Sequence, residues 1–445
     1  MFKKIAIKTG VLTTVFILAV IVSSYVTNRG NTDMSADMGG ATLPRISFMT
    51  EGYEVNSLPG YKSDMTLTSM RDTLTPVTNN QLDMNIAKYD NQIQKVYWQV
   101  YTLNGKKCIQ EGTIKDVQDT VTLNFRNTKI LKEERILKVT LYLDNQNIYF
   151  YTRIKNSADC NYKASLDFAN NFHSAALEGQ GDKIESYLET DTDSDADSST
   201  YQEVTLASTQ AQVLWGSLAP QVSGNVYWEI KECNENYTSL VLKYQVKCAG
   251  DTDYADRLYS VKEFFRIRTG EDAQQYLLDY DRTMNQRFDG KTTALNQKGV
   301  LVGIAPTELE YETNTDGTIV AFIEDNQLWH YDKKADEMSL VFGFADAENM
   351  DVRTLCDLHD IRLISVDEKG NTTFTVVGYM NRGVHEGQVG VAVYYFDAEK
   401  NSVTEKAFVP SEDGYYLMKE DLGKFVYYSN SCLLYTSDAA DDRIS

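Results

Sequence analysis

The loop YMNRGVHEGQVG at 379–390 contains the residues best suited to bind a ligand. Arg382, His385 and Glu386 cluster there between two glycines, at a connection between predicted strands. Arginine offers bidentate hydrogen bonds to a carboxylate or phosphate, and a His–Glu pair suits proton transfer or metal binding. Loops on rigid sheets often carry binding residues, whereas a long polar hairpin shaped by its glycines is the plainer alternative. We predict a ligand-binding site at Arg382, His385 and Glu386.

Other reactive motifs are absent from the sequence. It has four histidines, no HExxH helix, no GxSxG elbow and no GxxxxGK[ST] loop. His330 follows a strand pattern and is predicted to be structural, and His173 is predicted to lie on a helix surface or partly buried. With 64 acidic residues, no carboxylate pair for glycoside hydrolysis can be selected. We predict no catalytic residue, no metal site and no cofactor.

The segment LETDTDSDADSST at 188–200 raises the question of calcium binding. An EF-hand loop counted from Asp191 needs glycine at its sixth position and glutamate at its twelfth. Ala196 and Gln202 stand there instead. We therefore predict a solvated acidic loop.

Composition limits the classes of protein to consider. The chain has 445 residues, of which 42% are hydrophobic, and this suits globular domains rather than disorder. Its 43 Lys and Arg against 64 Asp and Glu give a net charge of -21. An acidic body repels phosphate backbones, so nucleic acid is not a predicted partner.

The six cysteines form no metal or redox motif, because none belongs to a CxxC pair. Cys108–Cys160 and Cys233–Cys248 are candidate disulfides. The wide spacing of the cysteines in a long chain favours scattered buried thiols instead.

Residues 5–26 are apolar apart from Lys8 near one end. At ~1.5 Å per residue, this helix would span about 33 Å, enough for a hydrocarbon core of ~30 Å. Three lysines precede the apolar core and Arg29 alone follows it closely, which places the N-terminus in the cytoplasm. A cleaved secretory signal is the alternative, but no A-x-A-like site follows. We predict an uncleaved single-pass signal anchor at 1–28 and an extracytoplasmic body.

The body is predicted to be mainly β. After a small, polar linker at 29–43, short alternating strands at 44–157 indicate a β-sandwich-like domain, with a type I′ hairpin turn at Asn104–Gly105. Residues 158–297 indicate an α+β domain. Its helix is indicated by KASLDFANNFHSAALEG, in which Phe168 and Phe172 share one face with Ala176; the acidic loop follows that helix.

The last region shows weak internal repetition. Residues 317–344 and 371–409 share the order strand, turn, strand, polar turn, strand, and LGKFVYYSN begins a third copy near Lys424. Starts about 52 to 54 residues apart suit propeller blades. Residues 298–431 thus resemble β-propeller repeats of no specific family, which implies a partial propeller-like domain.

The final residues have a different character. CLLYTSDAAD at 432–441 resembles, codon for codon, the translation of a transposase-based sequencing adapter. The resemblance implies that 432–445 are not native and that the propeller-like domain is truncated.

These features predict a non-catalytic binding or scaffolding protein of the bacterial cell envelope, with an envelope protein or a glycan as its partner. Two alternatives remain open: an envelope carbohydrate-active hydrolase whose site lies in a missing C-terminal part, and the extracytoplasmic sensor input of a signalling system.

Overall fold

The computed structural model describes residues 34–126, 128–189, 201–249, 257–288, 290, 295–296, 299–303, 309–345, 352–353, 355–429 and 432–435. The predicted membrane anchor and most of the acidic loop lie outside them. Across these described ranges, no helix is both long and apolar enough to cross a membrane. The protein is mainly β and contains several sheets, as predicted.

The strands form one ten-stranded, one five-stranded, two four-stranded and two two-stranded sheets. In chain order they are β1 (Arg45–Thr50), β2 (Tyr53–Leu58), β3 (Leu74–Val77), β4 (Gln81–Ala87), β5 (Ile93–Thr102), β6 (Cys108–Ile114), β7 (Thr120–Asn124), β8 (Arg135–Leu143), β9 (Asn147–Asn156), β10 (Glu203–Thr205), β11 (Gln221–Val222), β12 (Tyr227–Cys233), β13 (Thr238–Cys248), β14 (Arg257–Thr269), β15 (Gln275–Gln286), β16 (Leu295–Asn296), β17 (Gly299–Val300), β18 (Tyr311–Thr313), β19 (Ile319–Glu324), β20 (Gln327–Asp332), β21 (Glu337–Gly343), β22 (His359–Val366), β23 (Thr372–Tyr379), β24 (Val389–Asp397), β25 (Ser402–Ser411), β26 (Val426–Ser429) and β27 (Cys432–Tyr435).

Helices are few. They are α1 (Tyr162–Leu177), α2 (Gln210–Val213) and α3 (Tyr415–Phe425), with 3₁₀ turns at Leu67–Ser69, Thr128–Leu131, Ser157–Asp159, Gly181–Lys183 and Glu185–Tyr187. The predicted helix is confirmed as α1. Phe172 on its buried face packs against Phe265 and Tyr280, with ring centroids 5.9 and 5.0 Å away. Gly179, at φ +68°, follows its end.

Two facing sheets lie where the sequence predicts a sandwich. The ten-stranded sheet, called the central sheet below, has the order β10-β15-β14-β13-β12-β2-β1-β4-β7, with β11 beside β13. The five-stranded sheet has the order β3-β9-β8-β5-β6. Alternation along β5 buries Val96, Trp98 and Val100. These side chains share one apolar core with Phe48 of β1.

The central sheet continues from the sandwich into the α+β region. β12 pairs in parallel with β2 at Trp228 and Val55, and both side chains belong to the same apolar core as Phe172 of α1. An unpaired edge at β2 would leave N–H and C=O groups open, and β12 covers it. The predicted division near residue 157 therefore does not separate two independent cores.

The disulfide joins Cys160, just before α1, to Cys233 at the end of β12, with Cα atoms 5.7 Å apart. Both candidate pairs predicted from the sequence are wrong, as is the expectation that all the thiols are free. Cys108 is a free exposed thiol and Cys248 a free buried one. The actual pair is 73 residues apart and is brought together by the β12–β2 junction, which local spacing does not reveal.

The hairpin predicted at Asn104–Gly105 is confirmed, but its turn type is not. Gly105 has φ +71°, whereas Asn104 is not among the residues with positive φ. A type I′ turn requires positive φ at both positions. The Thr102 N–H instead donates to the Lys107 carbonyl over 2.9 Å, which makes a longer loop.

Two four-stranded antiparallel sheets, β18–β21 and β22–β25, follow. Their strands have the order predicted for 317–344 and 371–409. Phe342 and Phe374 pack between them with ring centroids 5.5 Å apart. Residues 309–411 are called the repeat region below. The predicted third copy does not start at Lys424, which lies in α3; the strand in this stretch is β26, which begins at Val426.

The repeat region packs on the sandwich through aromatic residues. The Tyr379 hydroxyl on β23 donates to the Gly60 carbonyl over 2.8 Å. The Tyr61 ring lies 5.2 Å from Tyr379 and 5.9 Å from Tyr151 of β9, in edge contacts. These contacts hold the repeat region to the outer face of the five-stranded sheet.

Residues 34–43, which the sequence predicts to be part of a flexible linker, instead lie along the repeat region. The N–H groups of Ser35 and Ala36 donate to the carbonyls of Leu340 and Val341, over 2.8 and 3.1 Å. These two hydrogen bonds hold the segment along β21, although it forms no strand there. Ala36 is buried in the core of the repeat region. Residues 34–43 are called the strap below.

Candidate functional site

A cleft of about 280 Å³ lies between the central sheet and the repeat region. Its floor is formed by β12 to β15, and its roof by the β19–β20 turn and residues before β22. Side chains alternate between the two faces of a strand. Tyr244 therefore contacts His173 of α1, while its neighbours Lys243 and Gln245 line the cleft. This space is called the central cleft below.

Three aligned residues form a polar row across the floor. Gln245 on β13 is paired with Ser260 on β14, which is paired with Asn285 on β15. Strands are ~4.8 Å apart, so the row is about 10 Å long. Gln245 is 6% exposed. Among the described residues, neither its Nε2 nor the Oδ1 of Asn285 has a hydrogen-bond partner. Such buried atoms cost free energy when unpaired, so they are natural contacts for a ligand.

An ion network lies beside the polar row. Lys243 Nζ is 3.0 Å from Glu229 Oε1 and 2.8 Å from Asp357 Oδ1, and Lys231 Nζ is 2.7 Å from Glu229 Oε2. Burial alone would raise the pKa of Glu229, but the two ammonium groups outweigh it and lower that pKa well below its usual range. Burial would lower the pKa of Lys243, but the two carboxylates raise it well above the ordinary value. All these groups are therefore charged at neutral pH.

Asp325, on the roof of the cleft, places a further carboxyl group against the floor. Asp325 and Asn326 have φ of 46° and 57° and form the two-residue turn between β19 and β20. The Ser260 hydroxyl donates to Asp325 Oδ2 over 3.0 Å. Burial raises the pKa of Asp325 to about 6. This carboxyl group therefore exchanges its proton close to neutral pH.

Asp325 and Asp357 line the same cleft with pKa values displaced in opposite directions. Burial would raise the pKa of Asp357 as well, but the Lys243 ammonium outweighs it and lowers that pKa. A carboxyl group that titrates near pH 6, together with a carboxylate that stays ionised, is the combination used in acid–base hydrolysis. Ion networks with a purely structural role shift pKa values in the same way. In the part of the chain that the structure describes, no three His, Cys, Asp or Glu residues are grouped to hold a metal ion.

His173 belongs to a separate polar cluster on the α1 side of the central sheet. Its Nδ1 lies 2.9 Å from Glu263 Oε1, and the Tyr244 hydroxyl donates to the same carboxylate. Burial would raise the pKa of Glu263, but His173 outweighs it and lowers that pKa. His173 is 5% exposed, so its predicted position is wrong. The partner on β14 that permits its burial is distant in sequence.

Glu386, one of the three predicted ligand-binding residues, binds the strap. Its Oε1 accepts hydrogen bonds from the N–H groups of Thr42 and Leu43, over 2.6 and 2.9 Å. Its Oε2 accepts one from the Thr42 hydroxyl, over 2.6 Å. Glu386 is 3% exposed, and its carboxylate group holds the end of the strap.

Arg382 also contacts the strap, whereas His385 contacts residues outside the strap. The Arg382 guanidinium donates to the carbonyls of Gly39 and Gly343, each over 3.2 Å. The His385 ring stacks on Phe408 with centroids 3.7 Å apart, and its Nε2 lies 2.9 Å from Glu405 Oε1. The loop therefore brings the three residues together, but these contacts are within the chain. Their ligand-binding role stays a prediction.

The central cleft was missed by the sequence prediction. One signal was present: β13 and β14 carry polar residues at Lys243, Gln245, Ser260 and Lys262, on the face that the apolar pattern leaves open. The roof residues come from the repeat region and carry no such pattern. Trp98, Trp228 and Trp329 do not line the cleft: all three are 5% exposed in apolar cores.

Comparisons with known proteins do not identify a family. No protein-family model matches the chain, and no curated protein matches it. Among solved structures, it is similar to a protein described as "Quinonprotein alcohol dehydrogenase-like" from Bacteroides thetaiotaomicron, at 10% identity over 79% of this chain and 98% of that one. The TM-score of 0.15 is too low to carry a conclusion about fold or function.

Proposed function

We propose that this protein is a membrane-anchored binding protein of the bacterial cell envelope, which holds a ligand in the central cleft without transforming it. The observation that carries the proposal is the polar row, where Gln245 Nε2 and Asn285 Oδ1 have no partners in the described part of the chain. Ligand pockets typically combine apolar walls with a few polar groups at fixed positions. A volume of about 280 Å³ suits a small ligand.

Membrane attachment is part of the proposal. The predicted anchor ends at Val26, about eight residues before Met34, and that length of chain spans at most about 28 Å. From Met34 onwards the strap is fixed to the repeat region by Glu386 and Arg382. The proposal therefore places the repeat region close to the bilayer surface.

The disulfide supports the extracytoplasmic part of the proposal. Disulfides such as Cys160–Cys233 persist in oxidising compartments and are rare where thiols are kept reduced. Cys108, which is free and exposed, supplies a direct test of location. A membrane-impermeant maleimide applied to intact cells is expected to label the wild-type chain more strongly than Cys108→Ser. Labelling of Cys108 only after lysis would contradict the proposed location.

The cleft is tested by thermal unfolding of the full chain in detergent micelles with small sugars, amino acids, dipeptides and nucleotides. A ligand that binds only the native state raises the midpoint temperature. At least one class is expected to do so, and Asn285→Leu is expected to reduce the rise. The proposal is contradicted if no class stabilises the protein or if Asn285→Leu leaves the rise unchanged.

A second candidate function is hydrolysis of a glycosidic bond in the same cleft. The observation that favours it is the opposite displacement of the pKa values of Asp325 and Asp357. In that function Asp325 would give its proton to the leaving glycosidic oxygen, and the Asp357 carboxylate would take a proton from the water that attacks the anomeric carbon. Asp325→Asn would then abolish release of reducing sugar but keep binding. Binding by the wild-type chain without any release supports the first function.

A further inference from the structure

We infer that the ligand of the central cleft is a neutral saccharide of one or two rings. This inference rests on the proposed function, because it names the ligand class of the same site. It is argued from the polar row, from the state of the charged groups around it and from the apolar walls.

The polar row demands a ligand that both donates and accepts hydrogen bonds. Gln245 Nε2 needs an acceptor and Asn285 Oδ1 needs a donor, and Ser260 lies between them. A hydroxyl group can satisfy either need, because it carries one donor and two acceptor positions. Several hydroxyls around a ring would reach both ends of a row about 10 Å long. A simple anion or cation would satisfy only one end.

Lys243, Asp357 and Asp325 of the cleft already have partners within the protein, and the Arg45 guanidinium donates to the Ser57 carbonyl. Lys243 is held between Glu229 and Asp357. Lys262 favours the ionised form of Asp357, and Asp325 accepts a hydrogen bond from Ser260. A charged ligand would have to disrupt these contacts, whereas a neutral one leaves them in place.

The walls fit the C–H faces of a sugar ring. Leu58, Leu355 and Leu358 line the cleft together with the ring of Tyr227. Apolar and aromatic surface of this kind covers the less polar faces of a ligand, while the few polar groups fix its orientation. The volume of about 280 Å³ limits the ligand to a small saccharide.

Isothermal titration of the full chain in detergent micelles tests the inference. The probes are neutral hexoses, N-acetylhexosamines and their disaccharides, compared with uronic acids and dialanine. Neutral sugars are expected to bind, and Gln245→Met and Asn285→Leu are each expected to weaken binding at least about tenfold. Gln94→Met, which removes an exposed amide on the sandwich, is expected to bind like the wild type.

Folding of the variants is checked by their unfolding temperature without ligand. Because Gln245 Nε2 and Asn285 Oδ1 have no partner in the described chain, their loss removes no hydrogen bond, and both variants are expected to be about as stable as the wild type. If dialanine or a uronic acid binds more tightly than every neutral sugar and the variants weaken it, the inference of a neutral saccharide is wrong while the proposed function stands. If no probe binds in a way that the variants affect, both are overturned.

Discussion

Lys243 Nζ on the central sheet lies 2.8 Å from Asp357 Oδ1 on the repeat side of the cleft and 3.0 Å from Glu229 Oε1 on the neighbouring strand. The Lys243 ammonium group therefore forms ion pairs with two carboxylates and links the roof of the cleft to its floor. The cost of burying these charges is offset only while Lys243, Glu229 and Asp357 are all present, because desolvation of an uncompensated carboxylate costs several kcal/mol.

Lys243→Met is expected to lower the free energy of unfolding by roughly 1 to 3 kcal/mol, since it leaves the partly exposed Asp357 without its ammonium partner and Glu229 with Lys231 alone. Urea unfolding of the full chain in detergent micelles measures this loss. The matched control is Lys334→Met, which breaks a pair with Asp316 whose side chains are 70% and 51% exposed. That control is expected to cost clearly less than Lys243→Met, because solvent screens an exposed pair. Equal losses for the two variants would refute a clamping role for Lys243.

Glu386→Gln is expected to loosen the strap. The substitution replaces one carboxylate oxygen by an NH₂ group that faces donors of Thr42 and Leu43, so at least one strong hydrogen bond is lost. Hydrogen exchange at the amides of these two residues is expected to become about ten- to a hundredfold faster. Glu405→Gln, which alters a partner of His385 without touching the strap, is the control. Unchanged protection in Glu386→Gln would show that other contacts hold the strap.

The Cys160–Cys233 disulfide is expected to stabilise the protein by roughly 3 to 4 kcal/mol, because it closes a loop of 73 residues. The double variant Cys160→Ser, Cys233→Ser is expected to unfold at lower urea concentration than the wild type and to be insensitive to reductant. Cys108→Ser removes an exposed free thiol and should keep both the stability and the reductant sensitivity of the wild type. Coincident unfolding curves for the wild type and the double variant would contradict this pairing.

The elements that the sequence predicts well are those whose apolar residues recur at a regular spacing. The alternation of Val96, Trp98 and Val100 predicts β5, and the spacing of Phe168 and Phe172 predicts α1. Both patterns reflect burial along one element, which depends on neighbours in sequence. The repeated strand order in the last region has the same local origin.

Contacts between segments that are distant in sequence cannot be predicted from such patterns. The junction of β12 with β2 depends on one parallel pair, Trp228 and Val55, and it places the two cysteines of the disulfide together. The strap has the small, polar composition of a linker. Its fixation depends on Glu386, whose partners include main-chain N–H groups that every residue but proline possesses.

The central cleft is the extreme case. Its floor and roof come from regions that are distant along the chain: Ser260 and Asp325, which contact each other across it, are 65 residues apart. Polar residues in a strand predict an open face, but the pattern does not say what covers that face. The ligand site proposed here therefore depends on tertiary packing rather than on a motif.

Glu324, next to the roof turn, predicts how stability depends on pH. Its side chain is buried, and within the described residues neither of its carboxylate oxygens has a hydrogen-bond partner. Gln327 lies directly opposite on β20. Burial, reinforced by the charge of Asp325, raises the pKa of Glu324 from 4.5 to about 8. The native state therefore holds a proton on this carboxyl group at neutral pH, whereas the unfolded chain has released it.

The direction in which stability changes with pH follows from this difference in proton binding. Because the native pKa is the higher one, stabilisation by the proton is complete below about pH 4.5 and is lost as the pH rises through about 8. Asp325, with a pKa raised to about 6, acts in the same direction over the lower part of that range. The contribution of these two groups therefore makes the protein less stable at pH 9 than at pH 5.

Glu324→Gln is expected to remove most of the loss between pH 6.5 and 8.5, because an amide has no proton to release there. At pH 9 the variant should be more stable than the wild type by on the order of 2 kcal/mol, measured by urea unfolding. Asp325→Asn is the companion variant and is expected to reduce the loss between about pH 4 and 6, where both groups contribute. If Glu324→Gln keeps the wild-type slope above pH 6.5, the buried carboxyl group is ionised in the native protein and the assignment of its proton is wrong.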